Sequence, residues 1–275
     1  MSKTSEMAID QQSGLITRKR HLFGVLCLAL AMFVFVSVNA FVKTMEKSYP
    51  IIEIVFFRNF FAILPCLLAL FFQKNLRLLK VSNWSVHFLR ALCGVISLCC
   101  LFESILRLPL AEATVFMFTA SIFVTALAFP LLGEKVGLSK LGAVIIGFLG
   151  VLIVSAPSHS LFNWGAIFGL ISAFIEAVLM VHNRKLSTVN HPLAITLYYL
   201  VFASVLSCCL LPFFWQTPTP YDVLILVVLG LGGGVGQYLV AVAYACAPAG
   251  LLSPILYTAM IWSLSYGVFL FQEVP

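Results

Sequence analysis

The chain has 275 residues, of which 62% are apolar and only 9% charged, against roughly 25% charged in ordinary soluble domains. No soluble fold of this length covers so much apolar surface, so lipid must be the solvent for most of it. The net charge of +6 does not point to nucleic acid, because the basic residues stand singly or in short clusters between apolar runs, as membrane-protein loop charges do.

At the N-terminus, Arg18-Lys19-Arg20 precede an apolar run that reaches Val38-Asn39-Ala40, which has the small-residue look of a signal cleavage site. The run from Leu22 to Val42 is long enough to span a bilayer and too long for a typical signal core, so it reads as a retained first helix. Further apolar stretches follow at 50–72, 85–106, 112–132, 140–156, 164–183, 193–214, 222–244 and 251–271, which makes nine expected spans. Breakers or caps fill the joins: Tyr49-Pro50, Lys80-Val81-Ser82-Asn83, Leu108-Pro109, Gly133-Glu134, Pro157-Ser158, His191-Pro192, Pro218 with Pro220, and Ala247-Pro248. No ten-residue alternation of apolar and polar residues appears, so the spans are helices rather than barrel strands.

Charge sets an orientation. A cytoplasmic N-terminus places Lys3, Arg18, Lys19, Arg20, Lys74, Arg77, Lys80, Lys135, Lys140, Arg184 and Lys185 on one side, and only Lys43, Lys47 and Arg107 on the other. That asymmetry is the positive-inside pattern of a multi-pass protein in a bacterial-type cytoplasmic membrane.

The sequence also repeats. A shift of 139 residues superimposes Pro109 on Pro248, Thr119 on Thr258, Ala120 on Ala259, Glu134 on Glu273 and Gly94 on Gly233, and a small indel brings Gly24 onto Gly165. The shared layout is a proline turn, a spanning helix and an acidic residue at its end. Five helices per repeat is an odd number, which inverts the second copy. The expected organisation is a cytoplasmic tail over 1–20, a first repeat over 21–156, a linker over 157–163 and a second repeat over 164–275. The second copy stops where its fifth helix would begin, so a tenth helix is expected to be missing. A truncated or accessory protein without transport activity of its own is the alternative this raises.

Ionisable groups inside spans are costly, from roughly 2.5 kcal/mol upward, and so face cavities or partners. Glu176 lies near the middle of the sixth span with no local cation within a turn, which suits a substrate amine or a coupling proton. Arg90, a turn into the third span, suits a carboxylate or phosphate, since guanidinium binds them bidentately. Asn39, Gln237, Tyr238 and Tyr257 are candidate neutral contacts to substrate. Arg58 and Glu53 are five residues apart and point in different directions on a helix, so each is expected to serve a structural bond elsewhere. Glu103 and Arg107 form an i,i+4 pair in the favourable order. Glu112 opens the fourth span, where the helix dipole favours a carboxylate. Glu134 and Glu273 read as a structural turn motif at equivalent ends of the two repeats.

The run from Gly230 to Gly236 lacks the G-K-[ST] ending of a phosphate loop and an acid placed for ribose, and reads instead as close helix packing or a local break. Eight cysteines, including the pairs Cys99–Cys100 and Cys208–Cys209, show no metal-ligand spacing and read as reduced packing residues. No H-E-x-x-H or G-x-S-x-G motif is present, so neither an enzyme nor a cofactor is expected.

These features resemble the drug/metabolite transporter superfamily in its EamA-like branch. The segments that carry the likeness are Glu53-Ile54-Val55-Phe56-Phe57-Arg58, His87-Phe88-Leu89-Arg90, Pro109-Leu110-Ala111-Glu112-Ala113, Gly133-Glu134-Lys135 with Leu141-Gly142, and Gly147-Phe148-Leu149-Gly150-Val151. Pro248-Ala249-Gly250 and Glu273 extend it into the second half. The spacings E-x-x-x-x-R and H-x-L-R also resemble S-adenosylmethionine uptake carriers. The resemblance implies an all-α bundle of two inverted five-helix repeats. It further implies a secondary carrier of a small metabolite, an amino acid, S-adenosylmethionine or similar, working by alternating access in the bilayer.

Overall fold

The computed structural model describes residues 3–45, 49–74, 76–81, 83–132, 142, 146, 163–186, 189–247 and 249–273. The expected fifth span and the Gly133-Glu134-Lys135 segment lie outside the described residues, apart from Gly142 and Ile146, which are helical. The described elements are α1 (Lys3–Thr44), α2 (Ile51–Gln73), a short 3₁₀ turn (Leu76–Leu79), α3 (Trp84–Arg107), α4 (Leu110–Leu132), α5 (Trp164–Leu186), α6 (Pro192–Phe214), α7 (Pro220–Cys246), α8 (Ala249–Leu256) and α9 (Thr258–Leu270). Among the described residues, six helices are long and apolar enough to cross a membrane, and Leu110–Val124 and Pro254–Leu270 are shorter apolar helices.

Two elements differ from expectation. Helix α1 continues back to Lys3, so the segment before Leu22 is helical in its described part. The stretch 251–271 is not one rod: it breaks between α8 and α9 at Tyr257, three residues after Pro254. A proline inside a helix has no N–H for the ladder and crowds the preceding turn, so Pro254 weakens α8 just ahead of that break.

Local chemistry fixes the helix ends. His191 caps α6 by accepting the Leu193 N–H at 3.3 Å, with Pro192 at the first helical position. Thr219 caps α7 by accepting the Asp222 N–H at 3.2 Å, ahead of Pro220. Lys74 ends α2 in the left-handed conformation and donates its N–H to the Phe71 carbonyl.

The helices form two groups. In one, α7 lies along α1 and α2, and α1 also meets α8 and α9; in the other, α5 lies along α3 and α4, and α3 also meets α6. The groups join chiefly where α2 packs on α6 and α4 packs on α9. Glycines permit the tightest approaches. A Cβ on Gly234 would lie 2.6 Å from the Ala62 carbonyl oxygen, and one on Gly230 would lie 2.8 Å from that of Phe57, so α7 rests directly on the α2 backbone. The glycine run is therefore continuous helix used for packing, with no break. Outside this core, large apolar side chains face outward, among them Phe72, Phe213 and Phe269, each more than three-quarters exposed. That surface suits lipid. All eight cysteines are free.

Candidate functional site

Five helices bring polar chemistry to the middle of the bundle. On α3, His87, Arg90, Gly94 and Ser97 recur at helical spacing and so share a face. Arg90 is held on three sides. Its Nε donates to the Asn183 side-chain oxygen on α5, its Nη1 donates 3.3 Å to the Ile195 carbonyl on α6, and its guanidinium lies 4.8 Å from the ring centroid of Tyr199. A flat guanidinium is suited to such combined stacking and hydrogen bonding.

Tyr199 links this arginine to a second one. Its hydroxyl accepts a side-chain hydrogen bond from Arg58 on α2, in the other helix group. Arg58 also donates 2.9 Å from Nη1 to Asn59, and it is almost fully buried. Gly94 and Gly233 make the room: a Cβ on Gly94 would meet Tyr199 Cε2 at 2.4 Å, and one on Gly233 would meet Arg58 Nε at 3.1 Å.

Glu176 completes the cluster. It is on α5, within electrostatic reach of both Arg90 and Arg58. Its side chain is nonetheless exposed. Glu176 is thus an accessible carboxylate within reach of two arginines that come from the two different helix groups. One turn away, Ser97 and Ser172 exchange hydrogen bonds, each hydroxyl donating to the other's carbonyl at 3.1 and 2.9 Å, and this fastens α3 to α5. Nearer the N-terminal end of α3, His87 is buried against Tyr198, and neither ring nitrogen has a hydrogen-bond partner among the described residues.

The structure thus brings Glu176 and Arg90 together and adds Arg58, which sequence reasoning assigns a structural role. Gln237 is half-buried on α7, one turn beyond Gly233. Asn39 lies apart, with its Nδ2 3.8 Å from the Met117 sulfur. Tyr257, at the α8–α9 break, packs its ring 5.0 Å from Phe118, and Tyr238 is exposed on α7. Tyr199 and Asn183 join the candidate site through Arg90 and are not singled out by sequence reasoning. Tyr199 follows Arg58 by 141 residues, the same offset that separates Gly165 from Gly24, but a tyrosine aligned with an arginine does not by itself mark a site residue.

The remaining acids hold elements together. Buried Glu53 accepts the Gln216 N–H at 3.1 Å, which ties α2 to the turn after α6. Glu103 and Arg107 pair at 2.6 Å on the surface of α3. Glu112 lies in the first turn of α4, within electrostatic reach of Lys43 and Glu273. Glu273 pairs with Lys43 and accepts the Leu110 N–H, so its role joins distant elements rather than shaping its own turn. Its repeat counterpart Glu134 lies outside the described residues. Among the described residues, no group of three His, Cys, Asp or Glu side chains is placed to hold a metal.

An apolar helical bundle with helices long enough to cross a bilayer, and with two arginines and a carboxylate gathered among them, defines a multi-pass membrane protein. The chain belongs to the EamA-like transporter family, whose profile matches residues 22–156 and 163–275, within the drug/metabolite transporter superfamily. An uncharacterized transporter of Helicobacter pylori is 31% identical over 264 residues, 92% of this chain and 88% of that protein. The pseudopaline exporter CntI of Pseudomonas aeruginosa is 28% identical over 257 residues, 92% of this chain and 89% of that protein. The S-adenosylmethionine uptake transporter of Rickettsia prowazekii is 26% identical over 259 residues, 94% of this chain and 87% of that protein. A protein known from a crystal structure shares the fold with a TM-score of 0.66 at 18% identity, covering 94% of this chain and 90% of that one.

Proposed function

We propose that this chain is a secondary carrier that moves a small zwitterionic metabolite, an amino acid, S-adenosylmethionine or a similar compound, by alternating access. The observation that carries this reading is the arrangement of charges around Glu176. Glu176 makes no hydrogen bond among the described residues, while Arg58 and Arg90 stand near it on separate helices. A solute with an amine and a carboxylate satisfies both charges at once, the amine on Glu176 and the carboxylate on a guanidinium. Gln237 is the neutral contact nearest in register. Glu176 is also the group that would exchange a coupling proton, since a carboxylate beside arginines holds or releases its proton according to whether a substrate occupies those charges.

Inverted symmetry supports the alternating-access part. If α1, α2, α3 and α4 correspond to α5, α6, α7 and the α8–α9 pair, the packing of α1 on α7 is matched by α5 on α3, and that of α2 on α7 by α6 on α3. Single residues follow the same rule. A Cβ on Gly24 would touch Ala243 and Ala247 at the end of α7, and one on the aligned Gly165 would touch Arg107 and Leu108 at the end of α3. Two halves related in this way can rock about a central site and open it to either face. The domain boundaries follow as a tail over 1–20 and repeats over 21–156 and 164–275, joined by 157–163. Basic residues concentrated on the N-terminal side favour a cytoplasmic N-terminus in a bacterial-type inner membrane.

Uptake of labelled amino acids and of S-adenosylmethionine into proteoliposomes, for the native chain and Glu176→Gln, tests the reading. The amide is expected to lower transport at least tenfold and to flatten its pH dependence. Native-level transport by the variant would remove Glu176 from the mechanism.

A further inference from the structure

Lys43 is at the end of α1 opposite the basic N-terminal segment, yet it is only 8% exposed. A lysine at a helix end ordinarily snorkels to water. This one is instead turned inward onto the α3–α4 turn and the segment after α9. Its Nζ donates 2.6 Å to the Leu108 carbonyl, pairs with Glu273 Oε1, and lies 5.4 Å from the ring centroid of Phe271. The other carboxylate oxygen of Glu273 accepts the Leu110 N–H at 2.9 Å. Lys43 and Glu273 belong to the helix group built on α7, whereas Leu108 and Leu110 belong to the group built on α5. Each charge therefore bonds its partner within one group and a backbone atom of the other.

The backbone after α9 is bent to make this possible. Gln272 has φ 54°, the left-handed region that a side chain occupies at a cost of roughly 1–2 kcal/mol. The Glu273 N–H then closes back on the Gly267 carbonyl at 2.9 Å. Backbone strain persists where surrounding contacts hold it, and here the contacts are those to Lys43 and Leu110.

We infer that Lys43 and Glu273 form a latch that closes this end of the transport path by fastening the two helix groups across the α3–α4 turn. Its backbone partners give it a polarity. The carbonyl of Leu108 takes only a donor and the N–H of Leu110 only an acceptor, so the lysine and the glutamate cannot exchange places. Opening this end breaks both bonds, and the ion pair leaves with the α7 group.

Asn39, one turn inside the latch and in contact with Met117 of the other group, supplies the reporter position. Asn39→Cys is labelled with a membrane-impermeant maleimide added to the Lys43 face of sealed vesicles, and the chain's own cysteines are measured in parallel without the substitution. Adding Lys43→Met or Glu273→Gln is expected to speed labelling roughly tenfold or more, as the closed form loses its share of the population. Leu110→Pro removes the N–H at a first helical position where proline is tolerated, together with the buried leucine side chain, and is expected to act in the same direction with both charges intact. The double exchange Lys43→Glu with Glu273→Lys restores an ion pair but not the backbone bonds, and is expected to label fast. Size-exclusion profiles identify variants that fold, and Leu110→Pro keeps the test alive if the charge variants do not. Parental labelling rates in the folded variants, or a slow-labelling double exchange, would overturn the latch. Labelling reads the movement and uptake reads the transport, so a parent chain that carries no probe while its labelling responds sinks the carrier reading alone.

Discussion

Gly94 lies against the edge of the Tyr199 ring, close enough that a methyl group in place of its hydrogen would meet Cε2 at 2.4 Å. That ring carries Arg90 on its face and Arg58 on its hydroxyl. Gly94→Ala must therefore push Tyr199 away from one arginine or the other. Overpacking of this kind costs about 1–3 kcal/mol, and about 1.4 kcal/mol is tenfold in affinity. Substrate binding by Gly94→Ala is expected to weaken roughly tenfold in a filter-binding or calorimetric assay. Gly233→Ala, which meets the flexible end of Arg58 at 3.1 Å, is expected to cost less. Equal losses in the two variants would mean that Tyr199 is not the organising ring.

The glycines of α7 are expected to differ in their tolerance of alanine. Gly234 faces the Ala62 backbone at 2.6 Å, which cannot move aside without shifting α2, whereas Gly232 faces the Val38 side chain at 2.9 Å, which can turn. Thermal denaturation in detergent should show Gly234→Ala destabilised by about 1–3 kcal/mol and Gly232→Ala by clearly less. The reverse order would contradict the packing of α7 on α2.

Tyr49, between α1 and α2, donates its hydroxyl to Asp222 at 2.6 Å and accepts the Thr219 N–H at 3.2 Å. The Asp222 carboxylate stabilises the neutral phenol and raises its pKa above the ordinary 10.0. A raised pKa means that the native state holds this proton more tightly, so the contribution to stability is complete below pH 10 and lost as pH rises through the raised value. The melting temperature of the native chain should fall more steeply than that of Tyr49→Phe as pH climbs from about 9 to about 11. Parallel curves would show that this tether contributes nothing.

Glu103 and Arg107 provide a contrast with Lys43 and Glu273. They pair at 2.6 Å, but their side chains are 30% and 49% exposed, where water competes and the net gain is about 0–1 kcal/mol. Glu103→Gln is expected to leave both thermal stability and uptake within error of the native chain. A marked loss of either would show that the pair does more than sit on the surface.

Hydropathy made the helical class and most of the spans legible, because a residue that faces lipid must be apolar along its whole rod. The isolated charges Arg90 and Glu176 were legible for the same reason, since nothing else in their helices explains them. Tyr199 and Asn183 were not, because an aromatic or an amide within an apolar helix has no spacing that separates a site residue from packing. Lys43 counted in sequence as an ordinary loop charge on the sparse side. Its burial depends on α1, the α3–α4 turn and the end of α9 meeting at one point, and no local pattern encodes that. The break at Tyr257 was signalled by Pro254, but prolines are common enough in membrane helices that one alone does not distinguish a kink from a stop.

Five of the seven residues from Gly230 to Gly236 are glycine, and this has a mechanical consequence for α7. Helices ordinarily lock because side-chain ridges of one sit in grooves of the next, and sliding one past the other requires those side chains to climb out. Along these two turns α7 offers few ridges of its own, and Phe35 and Val38 of α1 and Phe61 of α2 sit against its glycines. It acts there as a notched track, along which its neighbours can shift once those three side chains re-seat.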